Sequence, residues 1–223
     1  MFTQDTLTFL EALAANNDRA WFEANKARYE TVVLDPALDF IEAMGPLLKT
    51  FAPQFEAIPR KTGGSLMRIY RDTRFSRDKS PYKTNIGIQF RHALGKDIHA
   101  PGFYVHIAPD ECFIGAGCWH PEADALAAIR DHVASHPEQW LSTTRSLAGT
   151  YWQFWGDKTI RPPRGYDPQH PLIEELKRKD FLLLAMLDRR QVCSKDFPKQ
   201  VAERFAETES FMKMLCTALN VQY

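Results

Sequence analysis

The hydrophobic period of this 223-residue chain changes twice, and those two changes bound its fold. Through the first sixty residues apolar side chains recur at helical spacing. Leu7, Leu10, Leu13 and Ala14 share a face behind Asp5, which is placed to cap them. Asn16-Asn17 supply a stop and Asp18 a new cap, ahead of a helix carrying Trp21, Phe22, Tyr29 and Val33. Asp35-Pro36 then sets a cap residue before a proline at the first helical position, and Leu38, Ile41, Met44, Leu48 and Phe51 follow. Each stripe needs a tertiary partner, because one apolar face is not buried alone.

After Gly63-Gly64 the period becomes two. Residues 66–71, 85–91, 103–107 and 113–119 read as strands, with Ile86, Ile88 and Phe90 alternating with Asn85, Gly87 and Gln89. Phe103, Val105 and Ile107 alternate in the same way with Tyr104 and His106. Asp110-Glu111 is a short break, so the last two strands form a hairpin; such breaks favour an antiparallel meander over parallel crossovers. His120-Pro121 restarts helix, with Leu126, Ile129 and Val133 on its buried face, and Pro137 opens a shorter one. Residues 151–155 and 181–187 read as further strands, residues 161–168 are too proline-rich for regular structure, and a short helix starts at Pro171. Ser194 caps a last helix through Val201, Phe205, Met212 and Leu219. Helices before and after a sheet, without strict alternation, predict an α+β fold. Residues 1–223 are expected to form a single domain, a largely antiparallel sheet with N-terminal and C-terminal helices packed on it.

Composition narrows the function classes. The chain is 44% hydrophobic and 12% aromatic, enough for a sizeable core and too much for disorder. The N-terminus reads as lacking a secretory signal, and the longest apolar run, residues 181–187, is far short of the ~20 residues a spanning helix needs. Cys112, Cys118, Cys193 and Cys216 are scattered and read as reduced thiols. The expectation is a soluble, cytoplasmic protein without a membrane partner.

Lysine plus arginine and aspartate plus glutamate both number 28, so the formal net charge is zero, but the charge is unevenly spread. Residues 60–83 hold eight basic side chains and only Asp72 and Asp78 as acids, a local +6 that leaves −6 elsewhere. Most of it lies in an inter-strand loop. Arg71, Arg74, Arg77, Lys79 and Lys83 are therefore the candidate ligand-binding residues, since guanidinium forks and lysine point charges suit phosphate or carboxylate. The ligand would be an anionic small molecule. The competing reading is an ion-pair brace, each arginine held by Asp72 or Asp78, in a non-catalytic structural or partner-binding protein. A nucleic-acid module is a lesser alternative, opposed by the negative remainder.

Several segments carry a resemblance: Asn16-Asn17 with Trp21-Phe22; residues 71–83, which read Arg-Asp-Thr-Arg-Phe-Ser-Arg-Asp-Lys-Ser-Pro-Tyr-Lys; residues 115–119 with Pro121; Ile129-Arg130; and Pro163-Arg164-Gly165-Tyr166. On these the chain resembles, over nearly its whole length, a widespread family of conserved hypothetical proteins known as a domain of unknown function. The resemblance implies a single domain and supplies no activity, cofactor or catalytic residue.

Strand alternation adds one further site. With Ile88 and its neighbours inward, Gln89, Tyr104, His106, Gly115 and Gly117 share the opposite face, where polar groups meet missing side-chain volume. The glycines would equally admit a closely packed helix. His106 beside Tyr104 is the best acid–base candidate, with a structural histidine as the alternative. The sequence identifies no cofactor and leaves open whether the protein is an enzyme. No metal site is expected, because the gap between Cys112 and Cys118 matches no common pattern for use with His106 and His120. Gly115-x-Gly117 lacks the dinucleotide fingerprint, and residues 61–65 lack the Walker spacing.

Overall fold

The computed structural model describes residues 1–74, 76–95 and 101–223. Phe75, within the resemblance segment, lies outside them. Helices α1 (Gln4–Ala15), α2 (Arg19–Ala24) and α3 (Lys26–Tyr29) lead through a π-helical turn, Glu30–Leu34, into α4 (Asp35–Lys49). Strands β1 (Phe55–Glu56), β2 (Ile86–His92), β3 (Gly102–Ile107) and β4 (Cys112–Cys118) precede α5 (Ala123–Ser135) and α6 (Pro137–Ser146). Then come β5 (Gln153–Trp155), α7 (Ile173–Leu176), β6 (Phe181–Met186), α8 (Arg189–Val192), α9 (Phe197–Glu207) and α10 (Glu209–Ala218).

The six strands form one sheet in the order β1-β2-β3-β4-β6-β5, antiparallel at every pairing. The β3–β4 turn closes where the Ala108 N–H donates to the Glu111 carbonyl at 2.9 Å. Ile88 stands opposite Val105, and Ile86 opposite Ile107, so the inward side chains of neighbouring strands meet on one face. That face is covered by helices: α4 lies against β1, β2 and α9, and α10 lies against β4, α5 and α6. Ile86, Ile88, Phe90, Val105 and Ile107 are all buried in the same core cluster as Phe40, Phe197 and Phe205.

Local chemistry accounts for several element boundaries. Asp18 caps α2 by accepting the Trp21 N–H at 2.9 Å. Asp5 does not cap α1. Thr3 does, in a reciprocal arrangement with Thr6, because Asp5 already lies in the first turn. The helix expected around Trp21 and Val33 is broken at Asn25 and again by the π turn, so Asp35 continues a helix where it was expected to cap one. The last expected helix is two, divided at Thr208.

The expected strand at residues 66–71 is corrected: it is an extended segment joined by single bridges, Leu66 to Ile88 and Tyr70 to Tyr82. Alternation alone did not reveal that its partner changes midway, which prevents a continuous ladder. The Tyr166 hydroxyl donates to Asp131 at 2.7 Å, and an Arg130 guanidinium N–H donates to the Arg178 carbonyl, also at 2.7 Å. Those two contacts tie the proline-rich excursion before β6 to α5.

Candidate functional site

The cationic segment folds over the β1–β2 end of the sheet and walls a cleft of about 870 Å³. Its opposite lip is the turn at residues 58–65. There Ser65 donates its N–H to the Ile58 carbonyl and accepts the Ile58 N–H on Oγ, both at 2.9 Å. Gly64 is required at this turn, because a Cβ would stand within 2.9 Å of backbone and side-chain atoms of Ile58 and Arg60.

Five cations line the cleft, Arg68, Arg71, Arg74, Lys83 and Arg91, against the carboxylates of Glu56 and Asp72. Their partners divide them. Arg74 forks onto Asp72, with Nε to Oδ1 at 3.0 Å and Nη2 to Oδ2 at 2.7 Å. The Arg74 contact holds the Asp72 carboxyl down at about 2. Arg71 pairs with Asp78 and donates to Ser80 Oγ at 2.6 Å. Ser80, contributing most, and Arg71 hold Asp78 well below the usual carboxylate range. Arg91 donates Nε–H to Gln89 at 3.1 Å.

Arg68 and Lys83 differ: among the described residues, neither side chain makes a hydrogen bond or ion pair. Burial lowers the Lys83 ammonium below its ordinary value, and the nearby Arg68 charge lowers it further. Lys83 is placed there because its N–H donates to the Ile69 carbonyl at 2.7 Å, locking residues 81–83 against the 66–71 segment. The remaining two of the five expected binding residues stand elsewhere. Lys79 donates to the Thr73 carbonyl at 2.8 Å and faces a second hollow, while Arg77 is exposed and outside the lining of the cleft. Arg68 and Arg91 were not among the expected residues. Arg68 was hidden by its assignment to a strand, and Arg91 lies beyond the basic run; the register placing Arg91 opposite Glu56 brings it in.

Tyr104 and His106 do share the outer face of β3, with the hydroxyl 3.0 Å from His106 Nδ1 and Asn85 Nδ2 at 3.5 Å. The imidazole stacks on Phe113 at 4.6 Å and 5°. Burial pushes the Tyr104 hydroxyl up to about 12 and lowers the imidazole, the latter against a smaller upward pull from Glu111 and Asp110. Neither Tyr104 nor His106 is in the lining of the cleft, whereas Met67 is. A Cβ at Gly87 would touch both the Tyr104 hydroxyl, at 2.9 Å, and the Met67 sulfur, at 3.0 Å. The glycine-lined hollow expected on this face is filled by the neighbouring strand, since Leu184 leans over Gly115. Cys112 and Cys118 turn inward on β4 while His106 turns outward on β3, so these side chains are not brought together.

Sheet and cleft together define an antiparallel α+β protein with an excess of cations at one end of its sheet. The chain belongs to the conserved hypothetical protein family DUF2461, whose model matches residues 5–214. No curated protein and no solved structure matches it. No helix among the described residues is long and apolar enough to cross a membrane.

Proposed function

We propose that residues 1–223 form a single cytoplasmic domain that binds a small phosphorylated or carboxylated ligand in the cleft beside β1 and β2. The observation carrying this reading is the pair Arg68 and Lys83, two cations that face one cleft with no carboxylate within ion-pair distance among the described residues. Neighbouring like charges are unfavourable in the empty protein, and an anion between them removes that repulsion. Arg71, Arg74 and Arg91 add positive potential at the walls. Cys112, Cys118, Cys193 and Cys216 are scattered along the chain with no C-x-x-C pair, a pattern that suits a reducing compartment.

Phosphate, sugar phosphates, nucleotides and carboxylates should be screened by thermal shift, because a ligand of the folded state alone raises the melting temperature. Protection by phosphate that disappears in Arg68→Ala and in Lys83→Ala supports the reading; absence of protection by any anion removes it. Salt is the second axis. The residues outside 60–83 carry a net −6 and would repel a polyanion, so affinity should fall only shallowly with salt.

A second reading has its own observations. Arg71 on Asp78, Arg74 on Asp72 and Lys79 on Thr73 form an internal brace that orders the loop. In that reading the same pairs shape a surface for another protein, with no catalysis.

A further inference from the structure

Lys83 differs from the other charged groups of the cleft in ways that bear on chemistry as well as binding. Lys83 is the single amine among the described lining residues; the other four cations are guanidiniums, which do not give up a proton. It is only partly exposed, and among the described residues no acceptor or carboxylate holds its Nζ as an ammonium. Its backbone is fixed on one side by Ile69 and, one residue earlier, by Asn17. A desolvated lysine beside another cation is the arrangement that leaves an amine unprotonated and nucleophilic near neutral pH. The direction of its shift, down through burial and then through Arg68, agrees with the geometry.

We propose that Lys83 is a Schiff-base lysine that captures the aldehyde or ketone of a phosphorylated carbonyl compound, an open-chain sugar phosphate being the simplest member of the class. The inference rests on the anion-binding reading, since Arg68 with Arg71, Arg74 and Arg91 would hold the phosphate and present the carbonyl to the amine. The nitrogen lone pair attacks the carbonyl carbon, forming a C–N bond as the C=O π electrons move to oxygen. One amine proton passes to that oxygen to give the carbinolamine. The oxygen then leaves as water with the second amine proton, and a C=N bond remains. Hydrolysis reverses the sequence, so no oxidant or reductant is consumed.

The test is reductive trapping of the full chain with ribose 5-phosphate and sodium cyanoborohydride at pH 7, read by peptide mass spectrometry. Hydride adds to the imine carbon and leaves a stable secondary amine on the lysine that reacted. Labelling should favour Lys83 over the exposed Lys61 and Lys79 by about tenfold or more, as expected when a bound phosphate holds the carbonyl beside one amine. Inorganic phosphate should slow labelling at Lys83 and leave Lys61 unchanged. Lys83→Arg should lose the adduct while keeping the melting temperature. Arg68→Gln should slow labelling at pH 7 and move the midpoint of the Lys83 pH–rate profile upward relative to the wild type, a shift that a purely structural arginine would not produce.

Labels spread over exposed lysines, or Lys83 labelled no faster by ribose 5-phosphate than by ribose, would overturn the inference. If phosphate still raises the melting temperature in that case, the anion site stands and only the imine chemistry falls. If phosphate has no effect either, both fall.

Discussion

The carboxamide of Asn17 grips the backbone of Tyr82 at both polar groups, donating from Nδ2 to the carbonyl at 2.9 Å and accepting the N–H on Oδ1 at 3.1 Å. This is one rung of a β-ladder made by a side chain, and it joins the turn between α1 and α2 to the end of the cationic loop. Tyr82 is buried with its ring stacked 4.1 Å from Phe22, so water does not easily replace the lost partner. Asn17→Ala should therefore cost about 1–3 kcal/mol, the penalty of leaving buried backbone groups unpaired. Urea unfolding measures the loss, and faster hydrogen exchange at the Tyr82 amide locates it. Unchanged exchange would show that Asn17 does not hold this loop.

Ile88 has no exposed surface and faces Val105 across the β2–β3 ladder, within a core that also holds Phe40 and Phe90. Ile88→Ala should cost roughly 2–5 kcal/mol, through lost transfer energy and the cavity left behind. A loss below about 0.5 kcal/mol in the same denaturation experiment would contradict the assignment of this face to the core.

His106 makes stability depend on pH in a fixed direction. Burial lowers its pKa in the folded state, so the unfolded chain takes up the proton more readily. The contribution is complete above the unfolded value of about 6.5 and is lost progressively as pH falls below it. His106→Gln should flatten the decline of melting temperature on acidification from neutral pH, whatever it does to the absolute value. A wild-type slope that survives in the variant would assign the acid sensitivity elsewhere.

Much of this fold is legible in the sequence because its signals are local. Ile86, Ile88 and Phe90 alternate with polar residues, and Asp110-Glu111 mark a turn, so three strands and their antiparallel order follow from period and loop length alone. β1 is not legible: two residues have no period, and Phe55 pairs with His92 only because the chain returns to it. The candidate site was legible in its charge and not in its partners. Arg71, Arg74 and Lys83 look alike in sequence, yet the carboxylates of Asp78 and Asp72 engage the first two while Lys83 has none among the described residues. Which cation pairs is decided by the path of the loop, and no periodicity encodes that path.

Two glycines of β4 separate backbone strain from side-chain crowding. Gly117 has φ of 130°, in the region that disfavours a side chain, and a Cβ there would collide with the Phe181 carbonyl of β6. At Gly115 the nearest atom is the end of the flexible Leu184 side chain, at 3.1 Å. Gly117→Ala should therefore cost on the order of 1–3 kcal/mol or more through backbone strain. Gly115→Ala should stay within about 1 kcal/mol as Leu184 rotates aside. Equal losses in paired denaturation curves would mean that the β4–β6 pairing yields at Gly117 after all.

The arginines offer the sharpest separation of binding from bracing. Arg74 and Asp72 are paired, but their side chains are 77% and 59% exposed, and an exposed pair contributes little to stability. Arg77 is exposed and makes no hydrogen bond or ion pair among the described residues. Arg74→Ala and Arg77→Ala should accordingly leave the melting temperature nearly unchanged in the absence of anions. Arg68→Ala should change it little, because removing that charge relieves Lys83 and at the same time gives up a weak attraction to Asp72. Phosphate, added to each variant in turn, then reports binding separately from folding. Protection should be lost in Arg68→Ala, reduced in Arg74→Ala and intact in Arg77→Ala, because Arg68 and Arg74 line the cleft, Arg74 with Asp72 on its guanidinium, and Arg77 does not. If Arg74→Ala and Arg77→Ala both melt far below the wild type, and phosphate protects none of the four proteins, the loop is a structural brace and the ligand must be sought elsewhere on the molecule.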